Sequence, residues 1–219
     1  MTYLEAVNKV LLRLRENQVS TVQGSGNSNT YARLIGEFIN EAKDQVESAW
    51  DWSSLRTTMT AATAEGVFSY ELNGCGENTK LLDAFNDTSD LEMAQKTASW
   101  FNNAYLTGDA TTGTPVYYSF NGLSSDGDLY IDVFPPPDGV YNLRFNVVKR
   151  TTALSADTDT FEVPTRPVIL LATAMAIEER GEEGGQQSVN AYIMAQNALS
   201  DAIAFDAGRM SEDTEWYTV

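Results

Sequence analysis

Residues 28–52, SNTYARLIGEFINEAKDQVESAWDW, decide how the rest of the chain is interpreted. Apolar side chains recur there at spacings of three and four, which places them on one face of a helix. That face consists of Tyr31, Leu34, Ile35, Phe38, Ile39, Ala42, Val46, Ala49 and Trp50. The polar residues predicted for the other face are Arg33, Glu37, Asn40, Glu41, Lys43, Asp44 and Glu47. Because the apolar face is too wide to leave in water, the pattern predicts a helical bundle.

Two further helices are predicted from their ends and their composition. Residues 2–15 begin with Thr2 and Glu5 at the spacing of a capping box, in which each side chain accepts a backbone N–H from the other residue. Residues 168–180 are almost entirely apolar up to their last turn, which predicts a central helix. Gly181 is suited to end that helix.

Residues 188–207 form the last predicted helix, which we expect to close the bundle. Its inward residues are predicted to be Val189, Tyr192, Ile193, Ala195, Leu199, Ala202 and Ile203. The predicted bundle core consists of Leu34, Ile35, Phe38, Ile39, Val46, Trp50, Leu171, Met175, Leu199 and Ile203. We expect Trp50 to be buried in the bundle and Trp52 to anchor the first strand of the segment that follows.

Strand-like patterns occupy the segment between the second and third helices. The strand candidates are residues 55–63, 67–72, 80–85, 116–120, 128–134 and 140–149. A Gly/Ser/Asp turn between residues 116–120 and 128–134 predicts a hairpin. Residues 140–149 alternate apolar and polar side chains most cleanly, and residues 92–106 fit a short helix better than a strand.

Together these patterns predict an α+β fold. It consists of an antiparallel-type bundle of about four helices, a β-rich insertion between the second and third helices, and an extended C-terminal tail. The predicted domains are residues 1–52 with 164–208 for the bundle, 53–163 for the insertion and 209–219 for the tail.

Composition narrows the possible functions. The 31 acidic and 14 basic residues give a formal net charge of −17, which predicts repulsion from nucleic acid and anionic membranes. For the charge alone, the preferred explanation is general solubility or a source whose proteins are all acidic.

Histidine is absent, which excludes a serine–histidine triad and removes the commonest zinc ligand. The single Cys75 lies in a turn-like context and makes no internal disulfide.

Candidate chemical sites are weak, and we predict no catalytic residue, no cofactor and no metal site. Two Asp pairs, Asp126 with Asp128 and Asp157 with Asp159, have oxygen ligands of the kind that Ca²⁺ prefers. Neither has the spacing of a fuller calcium loop, so solvated turns are the preferred interpretation. Candidates for a sugar-stacking or base-stacking platform are Trp100, Phe101, Tyr117, Tyr118 and Tyr130, although core packing is commoner at strand spacing.

The sequence shows no signal peptide at its start, and its most apolar run, residues 167–177, is too short to span a bilayer. We therefore expect a soluble protein that is made in the host cytoplasm. The acidic segment of residues 209–219, RMSEDTEWYTV, carries large aromatic side chains. It either folds back on its own subunit or binds a neighbour, since aromatic residues are enriched at interface hot spots.

Several short motifs lie in a particular order between the helices. They are GTPVYY at residues 113–118, LYI at 129–131, Phe134-Pro135, Asp138, YNLR at 141–144, Leu154, DTD at 157–159 and Val163-Pro164. Two helices with a tryptophan motif precede them, and two long helices with an acidic tail follow. This layout resembles the head-to-tail adaptor proteins of tailed bacteriophages, in particular the tail tubular A proteins of short-tailed phages, over nearly the whole chain.

The resemblance implies a virion component of the tail or neck, assembled as a ring of twelve copies. The ring would lie beneath the portal protein and above a nozzle or other tail protein, and DNA would pass through its lumen without sequence-specific binding. In the family the C-terminal segment docks on the portal. Carried over, this assigns the portal contact to Arg209, Met210, Glu212, Asp213, Glu215, Trp216, Tyr217 and Val219.

Two other functions stay open at this point. One is a carbohydrate-binding or carbohydrate-hydrolysing module built on the β-rich insertion, and the other is a monomeric binding module without a role in a virion. The resemblance favours a structural adaptor that is not an enzyme.

Overall fold

The computed structural model describes residues 1–23, 27–76, 78–107, 111–181 and 185–209. The fold is α+β, as the sequence predicts, and these residues contain five helices and two four-stranded sheets. The chain divides into a helical unit, Met1–Leu55 with Thr151–Val219, and a sheet unit, Arg56–Arg150. Residues 151–163, which the sequence places in the insertion, therefore belong to the helical unit, where hydrogen bonds hold them.

The first two helices are α1, Tyr3–Arg13, and α2, Asn27–Ala49. The capping box of α1 is confirmed. The Glu5 N–H donates to Thr2 Oγ1 at 3.3 Å, and the Thr2 N–H donates to Glu5 Oε2 at 2.9 Å. Helix α2 ends three residues before the predicted end, and a 3-10 turn follows at Ser53–Leu55.

The tryptophan pair that follows α2 is arranged differently from the prediction. Trp52 is fully buried and belongs to the helical unit, whereas Trp50, which we expected to be buried, is half-buried. The Trp52 indole N–H donates to the Val46 carbonyl at 2.7 Å. Val46 lies in the last turn of α2, where carbonyls lack a partner within the helix, so the returning indole supplies one.

The other two helices of this unit are α4, Thr165–Glu179, and α5, Gln186–Ala207. Helix α4 is buried along most of its length, as predicted for a central helix, and Gly181 has φ of +63° just beyond its end. Of the predicted core, the fully buried residues are Ile35, Ile39, Val46 and Leu171. The partly buried ones are Leu34, Phe38, Trp50, Met175, Leu199 and Ile203.

One predicted face of α5 is wrong. Val189 and Ile193 were expected inside but are 52% and 54% exposed. Helix α5 packs mainly against α4, so only a narrow face of small or polar residues is covered. The buried residues of α5 are Ser188, Ala195, Ala198 and Asp206.

The sheet unit contains eight strands and one helix, α3, which spans Ala98–Thr107. The strands are β1 Arg56–Ala62, β2 Ser69–Leu72, β3 Lys80–Asn86, β4 Leu91–Glu92, β5 Ala94–Gln95, β6 Tyr117–Leu123, β7 Leu129–Phe134 and β8 Asn142–Val148. One sheet has the order β1-β8-β3-β4 and the other β2-β7-β6-β5. All pairs are antiparallel except β5 with β6.

The predicted alternation of apolar and polar residues along β8 is confirmed. Leu143, Phe145 and Val147 are buried and belong to the hydrophobic core of the sheet unit. The predicted hairpin is also confirmed as β6 and β7, which pair with Tyr117 opposite Phe134. In the described part of the chain, no helix combines the length and the apolar character that crossing a membrane requires.

Candidate interaction surfaces

The polar residues of α2 fall into two sets with different surroundings. The sequence pattern assigned all of them to one outer face, and this is wrong for Lys43 and Glu47, which are 1% and 3% exposed. Asn40, Lys43 and Glu47 are spaced by three and four residues and share one side of the helix. That side faces the segment that returns from the sheet unit, beginning at Thr151.

Lys43 and Glu47 hold the start of the returning segment. The Lys43 ammonium donates to the Thr151 carbonyl at 3.0 Å and lies 3.3 Å from Glu47 Oε1. The Glu47 carboxylate accepts the Thr151 hydroxyl at 2.6 Å and the Thr151 N–H at 3.2 Å. Both charges therefore have an opposite charge and hydrogen-bond partners, which is the condition for burying an ion pair.

Asn40 extends the same contact one turn earlier. Its amide Nδ2 donates to the Leu154 carbonyl at 3.0 Å, and its Oδ1 accepts the Leu154 N–H at 2.8 Å. The Asn40 side chain thus supplies hydrogen-bond partners for the backbone N–H and carbonyl of Leu154, which is not part of a sheet. Three side chains of α2 therefore fasten residues 151–154 to the helical unit.

The outward residues of α2 line an acidic groove of about 750 Å³, which Asn40 also borders. Its lining residues are Glu37, Asn40, Glu41, Asp44, Gln45, Ser48, Ala49 and Ala153. In the part of the chain that the structure describes, no basic side chain belongs to this lining. The three carboxylates give the groove a negative potential that repels phosphate and attracts cations.

A second groove, of about 370 Å³, lies at the start of α4 and the end of α5. Its lining residues are Pro164, Arg166, Pro167, Ala198, Asp201, Ala202, Phe205, Asp206 and Arg209. The Asp206 carboxylate accepts the Ser53 N–H at 2.9 Å and the Ser53 hydroxyl at 2.5 Å. Burial opposes its ionisation, but these hydrogen bonds outweigh burial and hold the pKa of Asp206 below its usual value.

Arg209 is the first residue of the predicted docking tail and is fastened to the end of α5. Its guanidinium lies 3.6 Å from the Asp206 carboxylate and 4.7 Å from the centre of the Phe205 ring. The other tail residues lie outside the described part of the chain. They are Met210, Glu212, Asp213, Glu215, Trp216, Tyr217 and Val219.

In the first Asp pair considered for Ca²⁺, the carboxylate of Asp128 accepts hydrogen bonds from a neighbouring turn. Asp128 accepts the N–H groups of Gly74 and Gly76 at 2.7 and 2.8 Å, and these bonds lower its pKa. Gly74 and Gly76 both have positive φ, which directs successive N–H groups toward one carboxylate. Across residues 1–23, 27–76, 78–107, 111–181 and 185–209 no cluster of three or more His, Cys, Asp or Glu side chains is positioned to hold a metal ion.

The second pair behaves in the same way. Asp159 accepts the N–H groups of Ser155 and Ala156, each at 2.8 Å, and these bonds lower its pKa. Asp157 accepts the Val22 N–H at 3.0 Å. These carboxylates shape the returning segment and link it to the loop after α1.

The aromatic residues considered for a sugar platform pack on one another. The Trp100 ring makes edge contacts with Phe101, Tyr117 and Phe134 at centroid distances of 5.0 to 5.4 Å. The Lys96 ammonium lies 5.8 Å from the centre of the Trp100 ring and 5.1 Å from that of Tyr117. Internal contacts thus involve the Trp100, Phe101 and Tyr117 rings, Tyr118 is buried in the core, and Tyr130 is partly buried.

Sequence reasoning missed the contact between α2 and the returning segment. A local signal was present, since Lys43 and Glu47 have the i,i+4 spacing of an ion pair and lie beside the apolar residues Ala42 and Val46. The partner, Thr151, lies more than a hundred residues away in sequence, so no local pattern identifies it.

Comparison with known proteins identifies the family of this chain. No curated protein shows a significant match to the chain. The sequence model of the SU10 adaptor protein family matches residues 1–217, which include both units and nearly all of the predicted tail. This match confirms the resemblance to phage head-to-tail adaptors that the order of the elements indicated. The chain belongs to the SU10 adaptor protein family.

Proposed function

We propose that this protein is a structural adaptor of a phage virion, which forms a ring beneath the portal and links the portal to the tail proteins below. The family match over residues 1–217 carries this proposal. The ring contains about a dozen copies, in keeping with the closed symmetry of most homo-oligomers. The protein acts through assembly rather than catalysis.

The charge distribution supports a role as a conduit for DNA. A duplex carries one phosphate charge about every 1.7 Å along its axis, so a basic wall would hold it in place. The chain instead carries a net charge of −17 and has an acidic groove along α2. Carboxylates that line the lumen repel the phosphates and let the duplex slide.

Residues 209–219 dock on the portal in this proposal. Arg209 supports this role because its contacts with Asp206 and Phe205 fix the point from which the segment leaves α5. A fixed origin lowers the entropy that is lost when the segment orders on a partner. Trp216 and Tyr217 then supply the aromatic surface that interface hot spots favour.

Electron microscopy of particles that carry the full chain tests the ring. A ring of this protein directly under the portal is the expected result, and its absence from particles with completed tails would refute the proposal. A truncated chain that lacks residues 210–219 tests the docking segment separately. We expect it to fold with an unchanged circular dichroism spectrum but to be missing from DNA-filled heads. Normal completion of virions by the truncated chain would refute the docking role alone.

A further inference from the structure

The outer face of α5 combines large apolar side chains with uncharged polar ones. Its large exposed side chains are Val189, Ile193, Met194 and Phe205, with 52%, 54%, 58% and 69% of their surface accessible. Val189 and Ile193 lie on one edge of this face and Met194 and Phe205 on the other, with the uncharged polar residues Asn190 and Asn197 between them. Together they form the α5 patch. Among the described residues of the helical unit, the remaining large exposed apolar side chain is Leu12 on α1.

Charged residues are depleted on the same face. At the chain average of 21% charged residues, a helix of 22 residues carries about five. Helix α5, all of which the structure describes, carries only Asp201 and Asp206. Asp206 is buried and hydrogen-bonded to Ser53, so Asp201 is the one exposed ionisable carboxylate of the helix.

The other outer helices of the unit have the opposite character. The exposed side of α2 carries the carboxylates of the acidic groove, and that of α1 carries Glu5, Lys9 and Arg13. Loss of charge together with exposed apolar side chains is the composition of an interface core. Within this unit that composition is concentrated on α5.

We infer that the outer face of α5 is the surface through which one copy of this chain packs against the next. Copies that each carry −17 repel one another, and an uncharged apolar face is where they approach at the lowest electrostatic cost. A basic partner would instead match the acidic groove of α2. The inference rests on the proposed ring and names the helix that forms one side of each subunit contact.

Photo-crosslinking in assembled particles tests which molecule covers the patch. A photoreactive amino acid replaces Ile193 in the full chain, and the crosslinked peptides are identified by mass spectrometry. We expect crosslinks between two copies of this chain. Crosslinks to the portal, to another tail protein or to residues 210–219 of the same copy would overturn the inference, and so would no crosslink in particles that contain the ring.

Charge substitutions test the contribution of the patch to assembly. Ile193→Glu and Ile193→Lys place a charge in the contact, and each is expected to lower the occupancy of the ring at least ~10-fold at limiting concentration. Leu12→Glu and Leu12→Lys on α1 are the matched controls, because they place the same charges at an exposed apolar position of a helix outside α5. Both Glu and Lys favour helices at least as well as Ile, so unchanged thermal unfolding of the free chains excludes a folding defect.

The outcomes separate the inference from the proposed function. If the unmodified chain forms no ring in particles, the proposed function fails and the inference fails with it. If the ring forms and both Ile193 variants assemble like the two Leu12 controls, only the inference fails. Selective loss of assembly by Ile193→Lys is the most informative result, because that variant reduces the net negative charge of the chain.

Discussion

Replacing Lys43 by Met tests whether the buried ion pair of α2 holds the returning segment. Methionine keeps most of the length and the apolar stem of the side chain but removes its charge. The Glu47 carboxylate, whose side chain has no exposed surface, then keeps its two hydrogen bonds from Thr151 and loses its cation at 3.3 Å. Breaking a buried pair in this way costs about 3–5 kcal/mol of unfolding free energy.

Three further variants are needed to interpret the cost of Lys43→Met. Glu47→Gln keeps the shape of the side chain and leaves Lys43 with the Thr151 carbonyl and with Asp44 at 3.3 Å, so its cost should be smaller, about 1–3 kcal/mol. The double variant Lys43→Met/Glu47→Gln leaves no uncompensated buried charge. Its cost should fall short of the sum of the single costs by about 0.5–3 kcal/mol. Asp44→Asn alters only the exposed partner and should cost at most about 1 kcal/mol.

Urea unfolding of the full chain, followed by circular dichroism and tryptophan fluorescence, measures these differences. The slope of free energy against urea must stay constant among the variants, because a change in slope would report a change in the unfolded state. A cost for Lys43→Met no greater than that for Asp44→Asn would refute the reasoning. It would mean that water reaches the Glu47 carboxylate when the cation is removed.

Three shorter predictions follow from other buried polar groups. Trp52→Phe removes the donor to the Val46 carbonyl while keeping an aromatic ring. Urea unfolding should show a loss of about 1–3 kcal/mol of unfolding free energy, and no change would contradict the hydrogen bond. The pKa of Asp206 is lower in the folded chain than in the unfolded chain, so its ionised form stabilises the fold above about pH 4 and this contribution disappears as the pH falls through the folded pKa. The stability difference between wild type and Asp206→Asn should therefore shrink below about pH 4, and a difference that grows there would contradict this sign. Burial raises the pKa of the Cys75 thiol, so a thiol reagent at pH 8 should react slowly with the folded chain and fast in urea, and equal rates would contradict its burial.

Local chemistry explains which parts of the fold the sequence predicted well. The capping box at Thr2 and Glu5 depends on a spacing of three residues and on hydrogen bonds within one turn. The burial of β8 follows from alternation along one strand, and that of α4 from an apolar composition on all sides. In each case the information lies within one element.

Tertiary partners explain the errors. Lys43 was assigned to solvent from its residue type, but its partner Thr151 enters the helical unit only after the whole sheet unit. Ile193 was assigned to the core from its spacing, but α5 has one main neighbour and buries only a narrow face. Periodicity indicates which side chains share a face, whereas the number of neighbouring elements decides how much of that face is covered.

Folding pairs the buried charges of the chain, whereas most of its acidic charge remains at the surface. Folding neutralises the one lysine that it buries, since Lys43 meets Glu47 inside the helical unit. The excess of carboxylates stays outside, where it keeps separate copies apart in dilute solution. In the proposed ring, assembly overcomes that repulsion through a face that carries almost no charge, and α5 supplies such a face. Because an apolar contact gains little from long-range attraction, copies that the proposed portal contact holds at high local concentration should associate far more readily than free copies. The acidity that suits the proposed DNA channel would thus favour assembly on a template.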